Sequence, residues 1–125
     1  MIFIFDTDVI IDILRDKKET VLQVEDWSYK ADVLACSVIT IAEIFAGMRS
    51  SEEKKTRELL DSLTKLPLSE EVAEIAGRLK GTTKSHQLTL DDCVIAATAL
   101  ENEAMLFTKN TKHYPFKGLK VQAIH

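Results

Sequence analysis

The sequence predicts an α/β fold: a mainly parallel central sheet flanked by α-helices in a three-layer sandwich. Three observations predict it. Met1 to Phe5 is apolar at every position and stops at a carboxylate, Asp6. A run without polar alternation suits a parallel strand covered on both faces. Further apolar runs then alternate with helix-like segments, the pattern of βαβ units. At 125 residues the chain is a single domain, 1–125, large enough for its own core.

The elements follow in order. After the first strand, Asp8 to Arg15 reads as a short helix with Val9, Ile10, Ile13 and Leu14 on one face. Glu19 to Tyr29 reads as a second helix. Val33 to Cys36 is a second strand, closed by Ser37. Thr40 to Met48 is helical, with Gly47 near its end. Ser50 or Ser51 then caps a charged amphipathic helix to about Leu63. Leu66-Pro67-Leu68 is a brief extended piece, because Pro67 disfavours helix at Leu66. Ser69, Glu70 and Glu71 open a further helix, and Gly81 to Gln87 is a polar loop. Thr89 caps a helix from Leu90 to Asn102. Ala104 to Phe107 is a third strand and Leu119 to Ile124 a fourth.

Bulk properties narrow the function. A hydrophobic content of 46% with 29% charged residues is that of an ordinary soluble domain. The opening run lacks a basic flank and is broken by Asp6, so it does not read as a signal peptide. No run approaches the ~20 apolar residues of a membrane span. A cytoplasmic protein with no membrane partner is expected. Cys36 and Cys93 then read as buried thiols, without the spacing of a metal or redox pair. A net charge of −4 argues against binding nucleic acid through charge alone. The tail is nevertheless basic: after Glu103 it carries Lys109, Lys112, His113, Lys117, Lys120 and His125 and no acid. These are either solvated side chains or a phosphate-tracking rim beside an acidic site.

Three acids stand at the edges of apolar elements: Asp6, Glu43 and Asp92. Asn110 follows the third strand as a fourth polar position. Ligand crevices of open α/β sheets lie beyond the carboxyl ends of the strands, where Asp6 belongs. Each acid also has a plain structural reading. Thr40/Glu43 and Thr89/Asp92 have the capping-box spacing, and Asp6 or Asp8 would serve as an N-cap. Gathered together, however, such acids repel one another, and a hard divalent cation with oxygen ligands would join them.

Four stretches carry a specific resemblance: Phe5-Asp6-Thr7-Asp8-Val9-Ile10-Ile11-Asp12, Ser37 to Ile44, Asp92 to Ala99, and Leu106-Phe107-Thr108-Lys109-Asn110. In order and spacing the chain resembles the PIN-domain ribonucleases, most closely the VapC-like toxins of prokaryotic toxin–antitoxin pairs. The resemblance implies a PIN-like fold with Asp6, Glu43 and Asp92 as catalytic acids and metal ligands. Asp92, not Asp91, matches the family's acid before the small-residue helix, which leaves Asp91 in a supporting place. Asn110 stands where many members have a further Asp, which bears on whether one ion or two is held. Thr7 and Thr108 match polar positions beside the acids. Lys109, Lys112 and His113 are candidate RNA contacts.

The implied chemistry is phosphodiester hydrolysis in RNA by a water activated on Mg²⁺ or Mn²⁺, leaving a 5′-phosphate and a 3′-hydroxyl. The implied partners are an RNA substrate, a cognate antitoxin and a second copy of the chain in a homodimer. Phe45, Met48, Leu59, Leu60 and Trp27 are candidates to line an apolar antitoxin groove, or else core. Two rival functions remain. A catalytically inactive PIN-like binding subunit is favoured only by Asn110. A haloacid-dehalogenase-like phosphatase is favoured by Asp6-Thr7-Asp8, with Thr108 on a later strand, but its acidic pair would have to follow Thr108 and here precedes it. A receiver-like domain fits less well, since no middle strand ends in an isolated Asp.

Overall fold

The computed structural model describes residues 1–84 and 87–125. Five strands form one sheet in the order β3-β2-β1-β4-β5. They are β1 (Ile2–Phe5), β2 (Val33–Ser37), β3 (Thr64–Leu66), β4 (Met105–Thr108) and β5 (Lys120–Ala123). Every pairing is parallel, and β1 lies at the centre, with Ile4 opposite Ala35 on one side and Leu106 on the other. The chain winds outward from β1 to β3, then crosses to β4 on the other side of β1. The boundary between β1 and β4 is therefore the switch point, where such sheets open a crevice.

Among the described residues there are six α-helices: α1 (Thr7–Leu14), α2 (Lys18–Ser28), α3 (Val38–Gly47), α4 (Glu53–Asp61), α5 (Glu70–Thr82) and α6 (Leu90–Glu101). Pleating sends alternate residues of β1 to opposite layers. Phe3 and Phe5 join Val9, Ile10, Val24, Ile44 and Leu60 in one core. Ile4 and Leu106 join Ile95, Ala96 and Ala99 in the other. The three-layer α/β architecture expected from the opening run is thus the one observed. Phe107 anchors the first core, its ring 4.7 Å from Phe3, 5.6 Å from Phe5 and 5.5 Å from Trp27.

Helix α6 is buried continuously from Cys93 to Ala99. A helix apolar on all sides is an interior helix. Its alanines admit the sheet on one side, while Cys93, Val94 and Ala97 meet Val72 and Ala76 of α5. Both cysteines are free and buried, as expected.

Four expectations about elements need correction. Helix α3 starts two residues before Thr40, because Ser37 ends β2 and caps the helix at once, its Oγ accepting the Ile39 N–H at 3.2 Å. Neither Ser50 nor Ser51 caps α4: both lie in a short 3₁₀ turn (Ser50–Glu52) leading into it, and Glu52 Oε1 accepts the Arg49 N–H at 2.8 Å. The extended piece near Pro67 is a fifth strand, β3, with Ala35 opposite Thr64. It ends at Leu66, since Pro67 has no N–H for a further ladder bond. The loop expected over Gly81 to Gln87 begins later, because α5 runs to Thr82, and its Ser85 and His86 lie outside the described residues.

Candidate active site

Asp6 follows β1 directly. Its backbone N–H donates to the Phe107 carbonyl at 2.9 Å, while its own carbonyl accepts the Val9 and Ile10 N–H groups of α1. Strand and helix therefore meet at this residue. It is the N-cap of α1, with Oδ1 accepting the Thr7 N–H at 2.7 Å. Its Oδ2 accepts the Thr108 hydroxyl at 2.8 Å and the Tyr114 hydroxyl at 2.9 Å. Capping therefore engages one carboxylate oxygen of Asp6, while the other faces Thr108 and Tyr114. Asp6 is 7% exposed. Burial raises its pKa, the three hydrogen bonds act against that, and the charge of Asp92 adds to it. Tyr114 is raised in turn by burial and by the Asp6 charge, so it remains a neutral donor.

Asp8 lies in the first turn of α1. Its Oδ2 accepts the Lys109 N–H at 3.2 Å and lies 3.4 Å from the Thr108 hydroxyl. That hydroxyl has one proton, and the shorter contact to Asp6 takes it. Asp8 Oδ1 is buried without a hydrogen-bond partner. Burial, and then the Asp6 charge, push the Asp8 carboxyl up to about 6.

Glu43 reaches the group from α3. Its Oε1 accepts the Thr7 hydroxyl at 2.8 Å, and Thr7 Oγ1 is also 3.0 Å from the buried Thr40 Oγ1. Since Ser37 caps α3, Glu43 is no capping-box acid. Burial raises its pKa first, and Asp91, Asp6 and Asp92 raise it further. Asp92 does keep the capping box with Thr89: its N–H donates to Thr89 Oγ1 at 3.1 Å, and its Oδ2 accepts the Thr89 N–H at 3.3 Å. Its Oδ2 is also 3.5 Å from His113 Nδ1.

The segment after β4 closes the group. Asn110 donates its backbone N–H to Thr108 Oγ1 at 3.0 Å, and its side chain lies 2.9 Å from His113 Nε2. Lys109 directs its ammonium away from the acids to Asp12 Oδ2, 2.7 Å away. Lys112 is exposed. Three members of this neighbourhood are absent from the sequence-based list of site residues: Asp8, Asp12 and Tyr114. The Asp-x-Asp spacing marks Asp8, and the quoted stretch ends on Asp12. Nothing local marks Tyr114.

The donor set suits a hard divalent cation: carboxylates with a buried, unpartnered oxygen at Asp8. Among the described residues no Lys or Arg forms an ion pair with Asp6, Asp8, Glu43 or Asp92, and the nearest ring nitrogen is His113 Nδ1, 3.5 Å from Asp92 Oδ2. As the side chains stand, no three acids or other ligand-type residues among the described ones converge closely enough to clasp an ion. Asp6, Asp92 and Glu43 share the electrostatic field without meeting, and holding an ion would take side-chain rotation.

The candidate groove residues separate. Leu60 is buried, and Trp27 packs on Phe3 and Phe107. Leu59 lines an apolar cleft with Ile13, Val21, Val24, Leu34 and Leu63. Met48 lies in a different depression, near Glu43 and Thr56.

Known proteins resemble this chain along nearly all its length. The PIN domain family matches residues 3–119. Ribonuclease VapC10 of Mycobacterium tuberculosis is 37% identical over 121 residues, covering 92% of this chain and 88% of that protein. Ribonuclease VapC19 of the same organism is 29% identical over 114 residues, covering 90% and 91%. Among solved structures, a toxin–antitoxin complex from Klebsiella pneumoniae matches with a TM-score of 0.82 and 28% identity, covering 98% of this chain and 97% of that one. With an all-parallel sheet, acids at its switch point and a family match across both, the chain belongs to the PIN domain family.

Proposed function

We propose that this chain is a divalent-metal-dependent endoribonuclease, the toxin of a VapBC-type toxin–antitoxin pair. The observation that carries the reading is the gathering of Asp6 at the end of β1, Glu43 on α3 and Asp92 on α6 within one electrostatic field, where the Asp92 charge acts on Asp6 and both act on Glu43. The relatives named ribonucleases, at 37% and 29% identity across the chain, support the same activity. Family membership displaces the phosphatase and receiver-like alternatives.

Asp6, Asp92 and Glu43 would hold Mg²⁺ or Mn²⁺, with Asp8 beside them and Asp91 and Asn110 at the margin. The bound ion would polarise the scissile phosphate and acidify a water. The chain's own groups prepare that chemistry. Thr108 and Tyr114 hold Asp6 Oδ2, and Thr7 orients Glu43 through its hydroxyl. Held by the Thr7 hydroxyl, Glu43 would be placed to accept the proton of an attacking water. Cleavage by water at the phosphorus would leave a 5′-phosphate and a 3′-hydroxyl. Lys112 and His113 border the group on the side of the basic tail and would meet RNA phosphates.

For the partner, the cleft lined by Ile13, Val21, Val24, Leu34, Leu59 and Leu63 is apolar and would receive an antitoxin segment. Solved complexes such as the Klebsiella pneumoniae pair support an antitoxin partner. A cytoplasmic homodimer remains the expected form. No described helix is long and apolar enough to cross a membrane.

The test is cleavage of a mixed RNA pool by the purified chain with Mg²⁺, Mn²⁺ or chelator. Metal-dependent fragments bearing 5′-phosphates, lost in Asp6→Asn, are expected. Intact RNA under every condition, with a folded chain that still captures an antitoxin, would leave the binding-subunit reading in its place.

A further inference from the structure

Asp12 takes no part in the contacts that hold Asp6, Glu43 and Asp92, yet it is among the most buried acids of the protein, at 5% exposure in the second half of α1. Its Oδ2 lies 2.7 Å from Lys109 Nζ and accepts the Thr20 hydroxyl at 2.8 Å, while Lys17 Nζ stands 3.6 Å from Oδ1. Lys109 is the first residue after β4. Its backbone N–H donates to Asp8 Oδ2. On one side of it Thr108 holds Asp6, and on the other Asn110 holds His113, which borders Asp92. One residue thus ties its side chain to α1 and presents its backbone to the acids.

We infer that the Asp12–Lys109 ion pair is a positioning strut for the active site, and that Lys109 acts through its place in the chain and not as an RNA contact. The catalytic consequence rests on the ribonuclease reading. The connection from β4 to β5 contains one 3₁₀ turn (Thr111–His113) and no α-helix. Such a segment is placed by what its side chains grip: Tyr114 holds Asp6 further along, and at its start Lys109 holds Asp12. Thr20 and Lys17 fix the Asp12 carboxylate on α1, which makes it a set anchor for the Lys109 ammonium. An ammonium already neutralised in this way adds little to the counterion release that drives RNA binding. The tethered backbone, by contrast, supports Asp6, Asp8 and His113 together.

The two roles of Lys109 predict opposite patterns. Asp12→Asn, Lys109→Met and Lys109→Arg are compared by steady-state cleavage of a short RNA and by amide hydrogen exchange at Lys109 and Asn110. For a strut, Asp12→Asn and Lys109→Met behave alike. Each lowers kcat on the order of 10- to 100-fold, the scale of a small misplacement of reacting groups. KM stays within about threefold, since substrate binding is spared. Exchange at both amides quickens, and Lys109→Arg, which keeps the pair, restores kcat and protection. If a single variant is unfolded, the double variant Asp12→Leu/Lys109→Met removes both charges and is expected to fold with the same low kcat.

The inference is overturned if Lys109→Met raises KM while Asp12→Asn leaves it unchanged or lowers it, as a freed phosphate-binding lysine would. It is also overturned if exchange at the two amides does not respond to Asp12→Asn. A parent chain that cleaves no RNA would refute the ribonuclease reading, and the exchange measurement would still decide whether the strut exists.

Discussion

The Tyr114 hydroxyl donates to Asp6 Oδ2 at 2.9 Å, joining residues 108 positions apart. Tyr114 is 4% exposed and does not ionise, so its hydrogen bond favours the charged carboxylate against burial. Tyr114→Phe removes the donor and keeps the ring. Asp6 should then hold its proton to higher pH, and the acid limb of the pH–rate profile should move upward. A buried hydrogen bond to a charged group is worth roughly 1.5–3 kcal/mol. That loss should appear in urea unfolding above the Asp6 pKa and shrink below it, where the acid is neutral in both proteins. Equal profiles for parent and variant would remove Tyr114 from the site.

Asp8 should make the ion-free protein less stable as pH rises. Its folded pKa, about 6, lies above the 3.8 of the free side chain. The unfolded chain therefore releases this proton first, so stability contributed below pH 4 is lost progressively towards pH 6. The carboxyl is partly exposed, so the loss is discounted from its full linkage value to on the order of 1–2 kcal/mol. Asp6 and Glu43, both raised, act in the same direction. Unfolding in chelator at pH 4.5 and 7 checks this. Asp8→Asn should reduce the difference, and Mn²⁺ should reverse it in the parent chain.

Much of the fold was legible because its signals are local. The unbroken apolar run of β1 announced a sheet covered on both faces, and Phe3 and Ile4 do face opposite layers. Helix α5 opens at Ser69 and Thr89 caps α6, as read. The Ser37 cap was missed because strand and helix abut without a loop, and Val38-Ile39 continues the apolar run. Strand β3 is three residues long with two of them exposed, so it left no pattern to read. Asp6, Glu43 and Asp92 were singled out as candidates through spacing and family resemblance. Tyr114 on Asp6 and Lys109 on Asp12 were not, since each bond is made by folding across about a hundred residues and neither follows from any neighbour in the chain.

Metal binding should separate the acids from their surroundings. A ligand that binds only the folded state stabilises it by about 2.7 kcal/mol at a hundredfold excess over Kd. Saturating Mn²⁺ should therefore raise the Tm of the parent chain by several degrees. Asp6→Asn, Asp92→Asn and Glu43→Gln should each remove most of that rise and most of the cleavage. Asp91→Asn should retain the greater part of both, because Asp91 acts on Glu43 through charge alone. A Tm rise that survives all three substitutions would place the ion elsewhere.

Lys112 gives the sharpest test of where RNA lies. It is exposed in the 3₁₀ turn that also carries His113, and among the described residues it pairs with no acid. Unlike Lys109, whose ammonium is held by Asp12, it is free to exchange its counterions for a phosphate. Each phosphate neutralised on a single strand contributes about 0.7 to the slope of log K against log salt. Lys112→Met should lower that slope by about this amount and raise KM, while kcat, set by the acids, stays nearly constant. Binding titrations on an Asp92→Asn background, over a range of salt, measure the slope without cleavage. An unchanged slope would mean that the basic side chains after β4 are solvated and that RNA approaches the acids from another side.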